Sequence, residues 1–219
     1  MNFLAHAIFA DGPDDVLFGS VAGDMIGVAK ADLPIQIQDG LRLHHELDGF
    51  FDTLPALSQS KSTVFAAVSH YQNAVLDVAA DHVIAAHWEE LFEGTLEDFS
   101  QNVYDVLEER TRFLTPTRQS MVARFRHEDW LVSYREKEGL IAALGRIAQR
   151  VKRGEMIREN ISAVMDSLPI IERELLPALR DIRGHMEGHL TGIGYETEHR
   201  TQWKEGNSFI ETIRRGKER

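Results

Sequence analysis

Apolar residues recur at helical spacing along almost the whole chain, and no stretch alternates apolar with polar for long enough to suggest a β-strand. The pattern predicts an all-α protein. The first break is Asp11-Gly12-Pro13-Asp14, where Pro13 suits the first position of a helix running to about Lys30. Leu33-Pro34 opens a second helix that carries Ile35, Ile37, Leu41, Leu43, Leu47 and Phe50 and ends before Pro55. From Ser62 to about Phe92 the period is helical and long, with a bend or division near Tyr71. Thr95-Leu96-Glu97-Asp98 resembles a capping box for a helix to about Leu114, and Thr115-Pro116 starts the next. Residues 117–135 place Trp130 and Tyr134 on one face, a further helix runs from Glu136 to about Arg153, and Gly154 ends it. From Ile157 to about His189 two helices are expected to meet at Leu168-Pro169, and Gly184, Gly188, Gly192 and Gly194 loosen the chain toward its end. The expected architecture is a single-domain helical bundle over residues 1–190, with residues 191–219 a C-terminal extension, partly mobile in its polar end from Glu205.

Composition narrows the chemistry. At 219 residues and 43% hydrophobic, the chain suffices for one substantial core, and no uncharged run is long enough to span a bilayer. The start Met1-Asn2-Phe3-Leu4-Ala5-His6 has no positive leader and no cleavage site, which predicts a cytoplasmic protein. There is no cysteine, so any metal must be held by histidine and carboxylate. A formal charge of −11 argues against nucleic acid as a partner, because a polyanion is repelled before contact forms. The charge is uneven, with Arg146, Arg150, Lys152, Arg153 and Arg158 in one stretch and Arg214, Arg215, Lys217 and Arg219 at the end.

The ionisable residues that matter lie in the first ninety positions. His44 and Asp48 are four apart on a helix, project from one face and can reach a single ion; Asp77 and Asp81 repeat the spacing. Asp81 is followed by His82, and His87 stands before Trp88. Two carboxylates on a helix rich in Val, Ala and Ile are costly to bury unless a cation or hydrogen-bond donors neutralise them. His6 and Asp24 also sit in apolar surroundings. Taken singly, His6 reads as a satisfied core histidine, His44 with Asp48 equally as an exposed ion pair or as two ligands of one ion, and Asp77 with Asp81 as a solvated face. As a group they gain weight, because helices carrying His6, Asp24, His44 and Asp81 can bundle around one point. His45, Glu46 and His70 read as surface residues, and the run from Arg146 to Arg158 as a solvated face.

The opening Met1-Asn2-Phe3-Leu4-Ala5-His6, then Gly19-Ser20 with Asp24, Gly40-Leu41-Arg42-Leu43-His44 with Asp48, Leu76-Asp77-Val78 with Asp81-His82 and His87-Trp88, and Trp130-Leu131-Val132-Ser133-Tyr134-Arg135 resemble the blocks of the acyl carrier protein phosphodiesterase family. The likeness covers residues 1 to about 155. It implies an HD-domain-like helical fold, a divergent branch of the HD phosphohydrolase superfamily, and a divalent cation, most often Mn²⁺, with Fe²⁺, Mg²⁺ or Zn²⁺ as other candidates. It implies holo acyl carrier protein as substrate, from which 4′-phosphopantetheine is hydrolysed. Asp81-His82 reverses the usual His-Asp order of HD enzymes. On this resemblance His6, Asp24, His44 and Asp81 are the expected metal ligands, with Asp48 and Asp77 as further ligands or groups that orient them. His82 or His87 is the expected general acid. Arg118, Arg124, Arg126, Arg146, Arg150, Lys152 and Arg153 offer a local basic face to an acidic carrier. Two other readings stand beside this one: an HD-like phosphohydrolase acting on a nucleotide or small phosphodiester, and a non-catalytic helical binding protein whose histidines and aspartates are structural.

Overall fold

The structure, a computed structural model, describes residues 2–198, 200 and 202–204. Among these residues there are twelve α-helices and no strand. In chain order they are α1 (Phe3–Phe9), α2 (Asp14–Val21), α3 (Ile35–Thr53), α4 (Ser58–Val68), α5 (Gln72–Ala86), α6 (Trp88–Leu91), α7 (Leu96–Glu109), α8 (Pro116–His127), α9 (Trp130–Ser133), α10 (Lys137–Arg150), α11 (Glu155–Glu159) and α12 (Ile161–Gly192). The all-α class is as the periodicity predicts, and among the described residues no helix is long and apolar enough to cross a membrane.

The core gathers around α5, whose Val75, Leu76, Ala79, Ala80 and Ile84 are almost completely buried. Helix α1 packs on α2, α3 and α5, while α12 closes the other side against α3, α4 and α5. Thr95 caps α7 as the sequence predicts, its Oγ1 accepting from the Asp98 backbone N–H at 3.1 Å.

Three boundaries differ from expectation and one agrees. The helix opened at Pro13 stops at Val21 instead of Lys30, and a 3₁₀ turn, Gly23–Met25, comes next. Beyond it the backbone is held by long-range pairing: Gly27 donates to the Phe113 carbonyl at 2.9 Å, and Ile26 bridges Leu114. The long segment from Ser62 does divide near Tyr71, at Ser69, which takes φ 53°. The segment over 117–135 is split into α8 and α9 by Asp129, at φ 46°. Conversely, the break expected at Leu168-Pro169 is absent, and α12 runs unbroken for 32 residues through Pro169 and Pro177. An interior proline costs about 3 kcal/mol. Burial of Val164, Leu168, Ile171, Leu175, Leu179, Ile182 and Met186 along one face outweighs two such costs, at roughly 1.5–3 kcal/mol per large side chain.

Helices α2 and α3 meet backbone to backbone at Gly19 and Gly40. A Cβ at Gly40 would stand 2.1 Å from the Val16 carbonyl oxygen, and one at Gly19 would stand 2.3 Å from that of Ile37. Because the obstacle is backbone, it cannot rotate away. Gly40→Ala is therefore expected to lower stability by about 2–4 kcal/mol, read as a fall in the thermal midpoint of about 5–10 °C; a change under about 2 °C would mean that the two helices can separate freely.

After α12 the chain returns across the start of the bundle. Arg200 donates to Asp11 and Asp14 at 2.9 and 2.6 Å, and Trp203 packs against Phe92 and Phe9, with ring centroids 4.5 and 5.8 Å away. The expected mobility from Glu205 onward falls outside the described residues.

Candidate metal centre

The site is assembled from the ends of short elements pinned by buried polar groups. Helix α1 has only seven residues, and the side chain of its N-cap, Asn2, makes no capping bond. Asp81 of α5 does that work from below, accepting from Leu4 N–H at 2.9 Å and from Ala5 N–H at 3.0 Å. A carboxylate at a helix N-terminus satisfies two orphan donors and suits the helix dipole. Complete burial pushes the Asp81 pKa up to about 7, against the pull of those two hydrogen bonds. The result is a fixed α1 with His6 facing α3.

His44 is pinned from the opposite side. Its Nδ1 lies 2.8 Å from the Ser20 carbonyl, in the last turn of α2, where helix carbonyls lack helical partners. A carbonyl only accepts, so Nδ1 carries the proton and Nε2 turns its lone pair toward the group in the neutral ring. Gly23 lies flat against this ring: a Cβ there would come within 2.6 Å of it. His6 and His44 stack, with centroids 4.2 Å apart and planes inclined by 20°. Asp48, one turn after His44, reaches both, at 3.2 Å from His6 Nε2 and 3.5 Å from His44 Nε2. Asp24, carried by the 3₁₀ turn, closes the mouth at 3.6 Å from His44 Nε2, with its own side chain 88% exposed.

These residues fit a divalent ion. His6, His44 and Asp48 each offer a ligand atom, all within 4.8 Å of one another. Burial lowers the His6 pKa to about 4, leaving its ring neutral and able to donate a lone pair. Burial opposes ionisation of Asp48, but the hydrogen bond from His6 and nearby positive charge hold its carboxyl far below the usual range. Burial also opposes charge on His44, and Asp24, Asp48 and the Ser20 carbonyl together outweigh it, raising that pKa. The hydrogen bond with His44 lowers Asp24 in turn. A cation between these carboxylates would take over the role of the His44 proton.

The structure thus brings together His6, Asp24, His44 and Asp48. Asp48, expected as a further ligand or catalytic group, stands at the centre. Asp77 is half-buried one turn before Asp81, and its pKa is raised to about 6 by burial, with the charges of Asp48 and Asp52 acting in the same direction. Four expected residues, Asp77 with Asp81, His82 and His87, are not among the groups that meet His44. Asp81 is not among the ligand atoms that gather there; its two oxygens accept from the Leu4 and Ala5 backbone N–H groups of α1, the helix that carries His6. His82 is turned toward the end of α9, its Nδ1 2.7 Å from the Tyr134 carbonyl, because successive helical residues diverge by about 100°. His87 caps α5 and faces Glu172 of α12 at 3.3 Å.

A cleft of about 180 Å³ opens over His6, Asp24 and His44, with Arg118, Met121 and Arg150 on its far wall. Arg118, Met121 and Arg150 also line a larger cleft of about 540 Å³ that continues past Arg124, Trp130 and Arg146. The expected basic face is therefore partly realised. Arg126 is absorbed by Asp105 and Glu108, both at 2.5 Å, and Arg124 pairs with Glu128 at 3.0 Å. Among the described residues, Arg118, Arg146 and Arg150 have no carboxylate partner, and Arg146 lies over the Trp130 ring at 3.9 Å. Burial and the neighbouring Arg118 and Arg146 lower the Arg150 pKa. Sequence reasoning assigned no role to the Ser20 carbonyl or to Gly23; Gly19-Ser20 was visible as a block, but a backbone carbonyl leaves no side-chain signal.

Comparison with known proteins identifies the family. The family profile described as acyl carrier protein phosphodiesterase matches residues 1–181. The acyl carrier protein phosphodiesterase of Yersinia pestis is 31% identical over 180 residues, covering 81% of this chain and 89% of that protein. Proteins of the same name from Pectobacterium atrosepticum and an Escherichia coli O45:K1 strain are 29% and 26% identical, covering 79% and 73% of this chain and 87% and 84% of theirs. No solved structure matches significantly. The profile spans every residue of the candidate centre, and on that ground the chain belongs to the acyl carrier protein phosphodiesterase family.

Proposed function

We propose that this chain hydrolyses the phosphodiester joining 4′-phosphopantetheine to a serine of holo acyl carrier protein, giving the apo protein, in the cytoplasm and with Mn²⁺ as its metal. Family membership supports the substrate. The observation that carries the reaction is the convergence of His6, His44 and Asp48 beside a cleft that His6 and His44 line together with Arg118 and Arg150. Mixed imidazole and carboxylate donors suit Mn²⁺ or Fe²⁺. The bound ion supplies an activated water at neutral pH and neutralises a phosphoryl oxygen.

The chain's own residues do the rest. The stacked rings of His6 and His44 and the carboxylate of Asp48 would each turn a ligand atom to the ion, and Asp24 stands at the mouth. Arg118 and Arg150 offer charge-assisted donors to the phosphodiester. His82 and His87 face Tyr134 and Glu172, so the proton for the departing serine oxygen is assigned to solvent in the open cleft. Arg146 and Arg124, further along, meet the acidic surface of the carrier and locally offset the chain's charge of −11.

Intact-mass spectrometry of holo carrier protein incubated with the full chain and Mn²⁺ tests the reading: the prosthetic-group mass should disappear, and should persist with Asp48→Asn. Persistence with the parent protein, alongside hydrolysis of a nucleotide, would assign the centre to another substrate. For the docking face, Arg124→Glu combined with Arg146→Glu is expected to raise KM by roughly 10-fold while kcat stays within about 3-fold; an unchanged KM removes the carrier from that face.

A further inference from the structure

We propose that Glu46 of α3, with His185 and His189 of α12, forms a second metal site, for a divalent transition ion of the zinc class, that clamps the end of α12 onto α3. His185 and His189 are four apart and so share one face of α12. Both direct Nε2 at a single oxygen, Glu46 Oε1, at 2.8 and 3.3 Å. The three ligand atoms lie within 4.8 Å of one another. Phe50, one turn after Glu46, stacks on the His185 ring at 3.9 Å with planes 13° apart, which fixes the direction of that imidazole.

Two of the three ligand spacings are close to what an ion requires. Ligand atoms bound at about 2.0–2.1 Å in tetrahedral arrangement stand roughly 3.3–3.4 Å apart. His189 and Glu46 already have that spacing, and His185 would withdraw by about half an ångström. Two imidazoles and one carboxylate favour Zn²⁺, Co²⁺ or Ni²⁺ over Mg²⁺ or Ca²⁺. The side chains of His185, Glu46 and His189 are 27%, 38% and 45% exposed, so water can complete the coordination.

This site cannot share its ion with the centre described above. Glu46 lies between His44 and Asp48 in sequence, yet a step of two residues turns about 200° around a helix, placing it on the opposite side of α3. The matched family region ends at residue 181, before both histidines. The clamp is therefore built from a family helix and a segment outside the family match, and it braces the same α3 that carries His44 and Asp48.

The test is calorimetric titration of the full-length, chelator-stripped protein with Zn²⁺, comparing the parent with His44→Ala, with His185→Ala/His189→Ala, and with all three together. His44→Ala should keep one equivalent of Zn²⁺ that the triple variant lacks. A Zn²⁺ concentration about 100-fold above its Kd should raise the thermal midpoint of His44→Ala by about 5 °C or more, and leave the triple variant unmoved. Equal stoichiometry and affinity in His44→Ala and the triple variant would overturn the clamp. Should the parent and His44→Ala bind the same single equivalent, and His185→Ala/His189→Ala none, the clamp stands and the metal reading of the His44 group falls. Circular dichroism checks the fold, and the half-exposed His189→Gln alone, expected to weaken binding at least about 10-fold, serves if the double variant does not fold.

Discussion

His44→Ala is expected to lower kcat/KM for release of the prosthetic group by roughly 10³-fold or more, with the helical fold retained. The magnitude comes from how much converges on one ring. The substitution removes an imidazole from a three-ligand group, the stacking partner of His6, and the ring that lies against both Asp24 and Asp48. It leaves the Ser20 carbonyl without its donor, a loss of about 1–3 kcal/mol that a bundle of this size tolerates. Steady-state rates and Mn²⁺ affinity should fall together while circular dichroism stays constant. Asp24→Ala is the internal contrast: its side chain is 88% exposed and, among the described residues, pairs with His44 alone, so a loss nearer about 10-fold is expected. A His44→Ala protein that keeps a tenth of the parent rate would show that the chemistry happens elsewhere.

Asp81→Ala is expected to be the most destabilising single change near the site, by about 3–5 kcal/mol, or about 10 °C in thermal midpoint. Two buried backbone donors, Leu4 N–H and Ala5 N–H, lose their acceptor at once. No neighbouring turn can replace it, because these are the first donors of α1. Since α1 carries His6, the loss should extend to activity, and lowering the temperature should restore part of it if positioning is what Asp81 provides.

Asp81→Asn separates charge from geometry. The folded pKa of about 7 exceeds the ordinary carboxylate value of 3.8, so the native state binds the extra proton between those limits. Stability from this group is fully present below about pH 4 and is lost as pH rises through about 7. The asparagine variant lacks that titration. The parent should therefore lose stability relative to Asp81→Asn between about pH 4 and about pH 7, measured as the difference in thermal midpoints. A difference independent of pH would mean that Asp81 is ionised throughout, held by its two backbone donors.

Much of the site was legible before any coordinates because its chemistry is written in side chains at helical spacing. His44 and Asp48 share a face for reasons of helix geometry alone, and a chain without cysteine confines a metal to nitrogen and oxygen. Sequence reasoning placed Asp81 with the ligands for a sound reason, that a carboxylate among Val, Ala and Ile needs neutralising. Sequence does not say which groups surround that carboxylate, and here the start of α1 supplies two backbone donors. The basic face was similarly over-counted: Arg126 is bound by Asp105 and Glu108, residues of a helix some twenty positions earlier. Glu46 looked like a surface residue because its partners are about 140 positions away.

By itself the sequence determined the all-helical class, the capped start of α7 and the pairing of His44 with Asp48, since each depends on period and on contacts within a turn. Tertiary structure alone decided that α12 runs through two prolines, that Gly23 lies against the His44 ring, and that Asp81 anchors α1 while Asp48 takes the centre. Those outcomes rest on buried area and on which distant group satisfies a polar atom, and neither quantity exists until the helices have packed.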